Sequence, residues 1–348
     1  MLISVQALRA FAAWIVVFHH FMQVFFNFHA HNTAEHLLST RGQVGVDIFF
    51  IISGFVIYLS TTKRKQPMRI FFMDRIIRIA PTYWLFTLIT AGIIYFAHHV
   101  MPVYGVSVTA LLKSLFFVPS QNPGGFGFYP ILPVGWTLNF EMMFYLLFSV
   151  SLIFPERYRP WLTALLVCSL VGWAYQSEWI SNFYRQPVIY EFLLGIGLAI
   201  VFKQGWIPRL SGKWLLIPAL VVMGCITIIL QSQDLNPYRF FTWGIPAVVM
   251  VGALISMENL FVNIPVLKHM GDWSYSVYLV HIIVLWCAAY TLHQLLGFSP
   301  IETLIMSIPF IVFFSWLSFT FIEKGASRWL KRHLGLSTPR KKSTTASE

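Results

Sequence analysis

The chain has 348 residues, of which 57% are hydrophobic and 11% charged, and its mean hydropathy is +0.69. Soluble domains carry about a quarter charged residues, so a surface that meets water on every side is excluded. The net charge of +11 raises the question of nucleic acid, but no basic domain with interleaved aromatics is present to bind a strand.

Crossing the hydrocarbon core takes about 20 apolar residues in a helix. Stretches of this kind lie at 5–26, 44–62, 82–100, 136–154, 160–176, 187–203, 213–231, 239–257, 274–295 and 302–322. The apolar runs are long and do not alternate, which argues against strands. The fold class expected is therefore all-α, a polytopic integral membrane protein of about ten transmembrane helices. One transmembrane domain spans 1–336, and 337–348 reads as a disordered polar cytoplasmic tail. A shorter apolar stretch at 106–118 carries Lys113 and suits an interfacial or re-entrant segment. Pro218, Pro246 and Pro309 fall inside spans, which is tolerable where neighbouring helices cover the freed carbonyls.

Basic residues orient the chain. With the N-terminus in the cytosol, the outer segments hold only Arg41, Lys113, Arg185 and Arg239, and nearly all other Lys and Arg fall inside. Positive charge on the inner side fixes topology, so both termini are expected in the cytoplasm and the basicity is largely topological. Some of it also attracts anionic membrane lipid. The first span lacks a charged leader and cleavage site and reads as a retained helix. Cys168, Cys225 and Cys287 lie far apart in apolar stretches and read as small core residues without disulfides.

Ionisable groups inside spans cost on the order of 2.5–3.5 kcal/mol each, so each is a functional candidate. Arg9 and His20 share the first span. Eleven residues at 100° bring them to nearly one helical face, about 16 Å apart along the axis. Arg9 lies toward the cytoplasm and His20 in the outer half, whereas His19 points about 100° away. Snorkelling of Arg9 and a carbonyl bond for His20 would also explain the pair. Asp74, Arg75 and Arg78 precede the third span, with Arg75 and Arg78 on one helical face at the inner surface. Such a pair suits phosphate or ordinary inner-face anchoring. Asp47 stands at the outer end of the second span, Glu141 in the outer half of the fourth and His281 in the ninth. An acid and a histidine facing one cavity form an acid–base pair or interhelical glue. Outside, His29, His31 and His36 lie beside Glu35, and no resident metal is expected. Gly124, Gly125, Gly127 and four prolines make 119–135 an irregular outer loop.

These residues resemble the membrane-bound acyltransferase 3 family. Val5-Gln6-Ala7-Leu8-Arg9-Ala10 running to His20 is similar to its Arg-x10-His signature. The likeness continues through Gly45–Gly54 with Asp47, through Arg75, Arg78, Pro81 and Tyr83, and through Gly135-Trp136 to Glu141 and Tyr145. It ends with Gly271–His281 and Glu323, so the blocks cover nearly the whole chain in order. The opening is most similar to exopolysaccharide and O-antigen acetyltransferases. The resemblance implies O-acylation of a glycan with acetyl-CoA as donor substrate and no permanently bound cofactor. It implies an acceptor on the periplasmic side and a place in the bacterial inner membrane. It assigns His20 and Glu141 to catalysis and Arg9, Arg75 and Arg78 to the CoA phosphates, with Asp47, Tyr83, Trp136 and His281 as further candidates. Here Glu141 is expected to orient or charge-balance His20. A multispan transporter or flippase of a lipid-linked glycan would use similar buried charges.

Overall fold

A helix stands at each of the ten apolar stretches, and among the described residues there is no strand. The computed structural model describes residues 2–63, 66–177, 180–232 and 238–335; the tail expected at 337–348 lies outside them. Six helical stretches are long and apolar enough to cross a membrane: Ile3–Phe26, Thr33–Thr62, Met68–Phe96, Gly212–Gln231, Pro265–Leu295 and Pro300–His333. The helices at the other four sites are shorter or less apolar.

The first helix, α1 (Ile3–Phe26), has no side-chain cap of its own. Glu258 supplies one from afar, accepting from Ile3 N at 2.7 Å and Ser4 N at 2.9 Å, which satisfies orphan amides and sets an anion at the positive end of the helix dipole. A surface helix, α2 (Thr33–Arg41), starts on the Asn32 side chain, which accepts from Glu35 N. The Glu35 carboxylate in turn receives His31 N and Asn32 Nδ2. Glu35 is thus occupied in capping, and His29, His31 and His36 stand exposed around it.

Next come α3 (Val44–Lys63) and α4 (Met68–Phe96). The sequence suggested a helix from residue 82; α4 instead begins fourteen residues earlier and runs through Pro81. Asp74, Arg75 and Arg78 are therefore part of α4 itself, with Arg78 exposed. The segment after α4 contains α5 (Val108–Leu115), capped by Ser107, followed by irregular chain to Leu132 in which Gly125 and Gly127 take positive φ. Then follow α6 (Trp136–Ser151), α7 (Arg159–Gln176), α8 (Glu191–Lys203), α9 (Leu216–Gln231) and α10 (Ile245–Ser256). Pro218 and Pro246 lie just after a 3₁₀ turn (Gly212–Leu215) and a π-helical turn (Phe240–Gly244) that lead into α9 and α10. A short α11 (Glu258–Phe261) carries the acid that caps α1. The chain closes with α12 (Pro265–Ala288), α13 (Pro300–Ser318) and α14 (Ser327–His333), α13 opening on a Ser299/Glu302 capping box.

Helix neighbours are decided by small residues. Gly54 of α3 lies against the Phe192 carbonyl of α8, and Gly195 of α8 against the Ile51 carbonyl of α3, so the two backbones touch as small-residue seams allow. Gly271 sits on the Gln6 backbone in the same way and draws α12 along α1. That crossing places the functional faces of the first and twelfth helices together. Of the cysteines, Cys225 is buried, but Cys168 lies on the outside of α7 and is not a core residue; all are free thiols.

Candidate active site

The faces of α1, α3, α4, α6 and α12 enclose a cavity of ≈ 110 Å³. Its polar wall contains Arg9, Arg75, Arg78, Ser53, Glu141 and Tyr145. Three guanidiniums from two helices line it together with one carboxylate. Glu141 accepts from Ser53 Oγ at 3.1 Å and from the Tyr145 hydroxyl, which also lies 3.2 Å from Ser53 Oγ. Arg9 Nη1 donates to Gln6 Oε1 at 3.2 Å while Gln6 Nε2 donates to Asp272 Oδ1 at 2.6 Å. Asp272 thereby balances Arg9 through an amide, without direct contact. Glu323 adds a second anionic field at Arg78 and Arg9, and its carboxylate receives Ser276 Oγ at 3.4 Å. Arg75 lies over the Phe71 ring at 5.3 Å, and its buried Nε has no hydrogen-bond acceptor among the described residues.

The opposite wall of the cavity is aromatic and hydroxylic. Tyr275 donates to Ile79 O at 2.9 Å, tying α12 to α4. The Tyr278 hydroxyl lies 2.9 Å from Thr137 Oγ1 and donates to Val134 O at 3.0 Å. The Tyr278 ring is also 5.9 Å from that of His281, so one side chain connects the cavity wall to the histidines beyond it.

There, His20 of α1 meets His281 of α12. Nδ1 of His20 is 3.0 Å from Val16 O and 3.1 Å from Nε2 of His281, whose own Nδ1 is 3.0 Å from Val277 O. A carbonyl can only accept, so both Nδ1 atoms carry hydrogen. Nε2 of His281 is then a lone pair facing the His20 N–H, and Nε2 of His20 is left as a free lone pair. His19 is directed elsewhere: its Nδ1 donates to Leu38 O at 3.0 Å and its ring packs on Phe28. The expected partnership of Glu141 with His20 is not what the helices assemble. Glu141 belongs to the arginine cavity, and the group that meets His20 is His281.

An acyltransferase-domain family profile matches residues 2–322. The chain belongs to the acyltransferase 3 family. It is 34% identical to the exopolysaccharide production protein ExoZ of Rhizobium meliloti over 263 residues, 73% of this chain and 80% of that one. It is 27% identical to acyltransferase MdmB of Streptomyces mycarofaciens, over 81% of this chain and 78% of that protein. It is 25% identical to the O-acetyltransferase OatA of Staphylococcus aureus, over 92% of this chain and 56% of that one. No solved structure matches. This protein is thus a membrane acyltransferase.

The remaining candidates of this acyltransferase lie apart from the cavity. Asp47 is fully buried and bound by Arg239, with Nη2 at 2.6 Å from Oδ2 and Nε at 3.2 Å from Oδ1. Glu191, also fully buried, faces Asp47, and Arg239 also lies over the Trp243 ring at 4.5 Å. Tyr83 stacks on Phe117 at 5.0 Å beneath Gly135, and Trp136 packs edge-on to Phe140 at 5.9 Å. Sequence reasoning missed Gln6, Ser53, Asp272 and Tyr275 at the cavity, and Glu191 and Arg239 behind it. Polar residues at helix-face spacing from Arg9 and Glu141, such as Gln6 and Tyr145, were the available signal.

Proposed function

We propose that this acyltransferase moves an acetyl group from cytosolic acetyl-CoA to a hydroxyl of a cell-surface polysaccharide or of its lipid-linked precursor. The observation that supports it best is the convergence of Arg9, Arg75 and Arg78 on one cavity. Three guanidiniums lining one cavity repel one another, and a polyphosphate relieves that repulsion. The names of ExoZ and OatA support exopolysaccharide and O-acetylation as the setting. In this reading the chain crosses the inner membrane of a bacterium about ten times, with both termini and the CoA nucleotide on the cytosolic side.

Arg9, Arg75 and Arg78 hold the CoA phosphates, and the pantetheine arm runs outward past Ser53 and Tyr278. The axial rise from Arg9 to His20, about 16 Å, is comparable to that extended arm, which brings the thioester to His20. The acceptor arrives from the periplasmic side. Its hydroxyl proton passes to Nε2 of His20 while the oxygen attacks the thioester carbonyl. The C–S bond breaks, and His20 returns the proton to the departing CoA thiolate. Glu141 and Tyr145 stay in the arginine cavity and offset its charge.

The test compares surface glycan, by mass spectrometry, from wild-type cells, deletion cells, and deletion cells given wild-type or His20→Asn protein. Loss of one acetyl mass per modified repeat on deletion, restored by wild-type but not by His20→Asn, is the expected result. Unchanged acetylation in cells whose only copy is His20→Asn would overturn it.

A further inference from the structure

The twelfth helix adds a residue to the reaction. We infer that His281 is a positioning residue for His20: its Nε2 lone pair accepts the His20 Nδ1–H and fixes Nε2 of His20 as the reacting atom. This rests on the reading of His20 as the base.

Three distances carry the inference. Each histidine donates from Nδ1 to the carbonyl one turn earlier on its own helix, His20 to Val16 and His281 to Val277, at 3.0 Å each. That bond alone would leave the His20 ring free to swing about χ1 and χ2. The second acceptor, His281 Nε2 at 3.1 Å across the α1/α12 interface, removes that freedom. It also excludes the other tautomer, because a bare Nδ1 on His20 would confront a bare Nε2 on His281 and the Val16 carbonyl, three acceptors without a proton.

The same contact acts during the reaction. As Nε2 of His20 takes the acceptor proton, positive charge spreads over the ring, and hydrogen bonds from a charged donor are about twice as strong as neutral ones. The Nδ1 proton stays where it is, and its bond to His281 tightens as charge develops. The interaction is thus stronger in the transition state than before it, the condition for raising kcat. His281 is fully buried, its partner carbonyl comes from its own helix, and the Gly271 contact on Gln6 holds α12 against α1. The position of Nε2 is therefore built by the rigid part of the fold. Aromatic neighbours complete the enclosure: Tyr278 at 5.9 Å from His281 and His19 at 5.4 Å from His20, between ring centroids.

The reach of the substituting side chain separates this role from packing. His281→Asn keeps a polar atom near Nδ1 and can still bond to Val277 O, but it does not extend to His20. His281→Gln carries its amide oxygen to the place of Nε2. Full-length proteins in nanodiscs, matched for melting temperature, are assayed with radiolabelled acetyl-CoA and polysaccharide from deletion cells. His281→Asn is expected to lower kcat on the order of 10²-fold with KM for acetyl-CoA unchanged, and His281→Gln to recover at least tenfold of that loss. Equal rates for the two variants, whether high or low, would overturn the inference. His20→Asn is run beside them: inactivity of His20→Asn with full activity of His281→Asn sinks the role of His281 alone, whereas activity of His20→Asn sinks the base assignment beneath it.

Discussion

Arg239 holds Asp47 with two nitrogens, Nη2 on Oδ2 at 2.6 Å and Nε on Oδ1 at 3.2 Å, and a third, Nη1, reaches Gln43 Oε1 at 3.0 Å. Asp47 is fully buried and its ion pair is with Arg239. Removing one partner of a buried pair leaves an uncompensated charge and costs about 3–5 kcal/mol. Arg239→Ala is therefore expected to lower the melting temperature in detergent far more than the paired change Asp47→Asn with Arg239→Gln, which leaves no bare charge. Equal losses for the two proteins, followed by tryptophan fluorescence on heating, would show that the pair does not act as a unit.

The α3/α8 seam gives a second test within a single helix. A Cβ on Gly195 would meet the Ile51 carbonyl and Phe55 N, which are backbone and cannot turn aside, whereas around Gly197 there is open space. Overpacking typically costs about 1–3 kcal/mol, and Gly in a helix interior is disfavoured relative to Ala by about 1 kcal/mol. Gly195→Ala should lose folded protein from the membrane fraction, and Gly197→Ala should match or exceed wild type. Gel-filtration profiles of detergent extracts read both.

The contrast between α1 and α4 shows where the sequence was readable. Arg9 and His20 were legible because one uninterrupted apolar stretch fixes both their depth and their shared face, and α1 runs from Ile3 to Phe26 as that pattern requires. In α4 the same logic failed: charges at Arg69, Asp74, Arg75 and Arg78 lowered the apolar count, so the helix was started at 82 and not at Met68. Arg75 and Arg78 line the cavity, and Asp74 pairs with Lys331 at 3.0 Å. That His281 meets His20 while Glu141 meets Ser53 was not legible for a different reason. Periodicity gives the face a residue occupies on its own helix and says nothing of which helix lies opposite. That neighbour is set by close approaches such as Gly271 on Gln6, a glycine without any signal of its partner.

Arg75 lines the cavity, and its buried Nε has no acceptor among the described residues. Hydrogen bonds to charged groups are worth about 1.5–3 kcal/mol, which corresponds to roughly 10–100-fold in binding. Arg75→Gln should raise KM for acetyl-CoA by that factor with a smaller change in kcat. Arg69, near the start of the same helix but absent from the cavity wall, is the control, and Arg69→Gln should leave KM unaltered. Comparable increases for both would reduce Arg75 to general inner-face charge.

The free lone pair on Nε2 of His20 can take a proton or an acyl group, and the arrangement around it favours the proton. His20 Nδ1–H is divided between Val16 O and His281 Nε2, a bond that stabilises imidazolium once a proton has arrived. In direct transfer the acceptor hydroxyl must be present before the thioester reacts. Protein mixed with radiolabelled acetyl-CoA and no glycan should therefore remain unlabelled, and free CoA should appear only when acceptor is added. Label that stays on the chain after denaturation, maps to the peptide containing His20 and disappears in His20→Asn would instead establish an acetyl-imidazole intermediate. The two routes also differ in kinetics. Direct transfer predicts intersecting double-reciprocal lines when donor and acceptor are varied together, whereas a covalent intermediate predicts parallel lines.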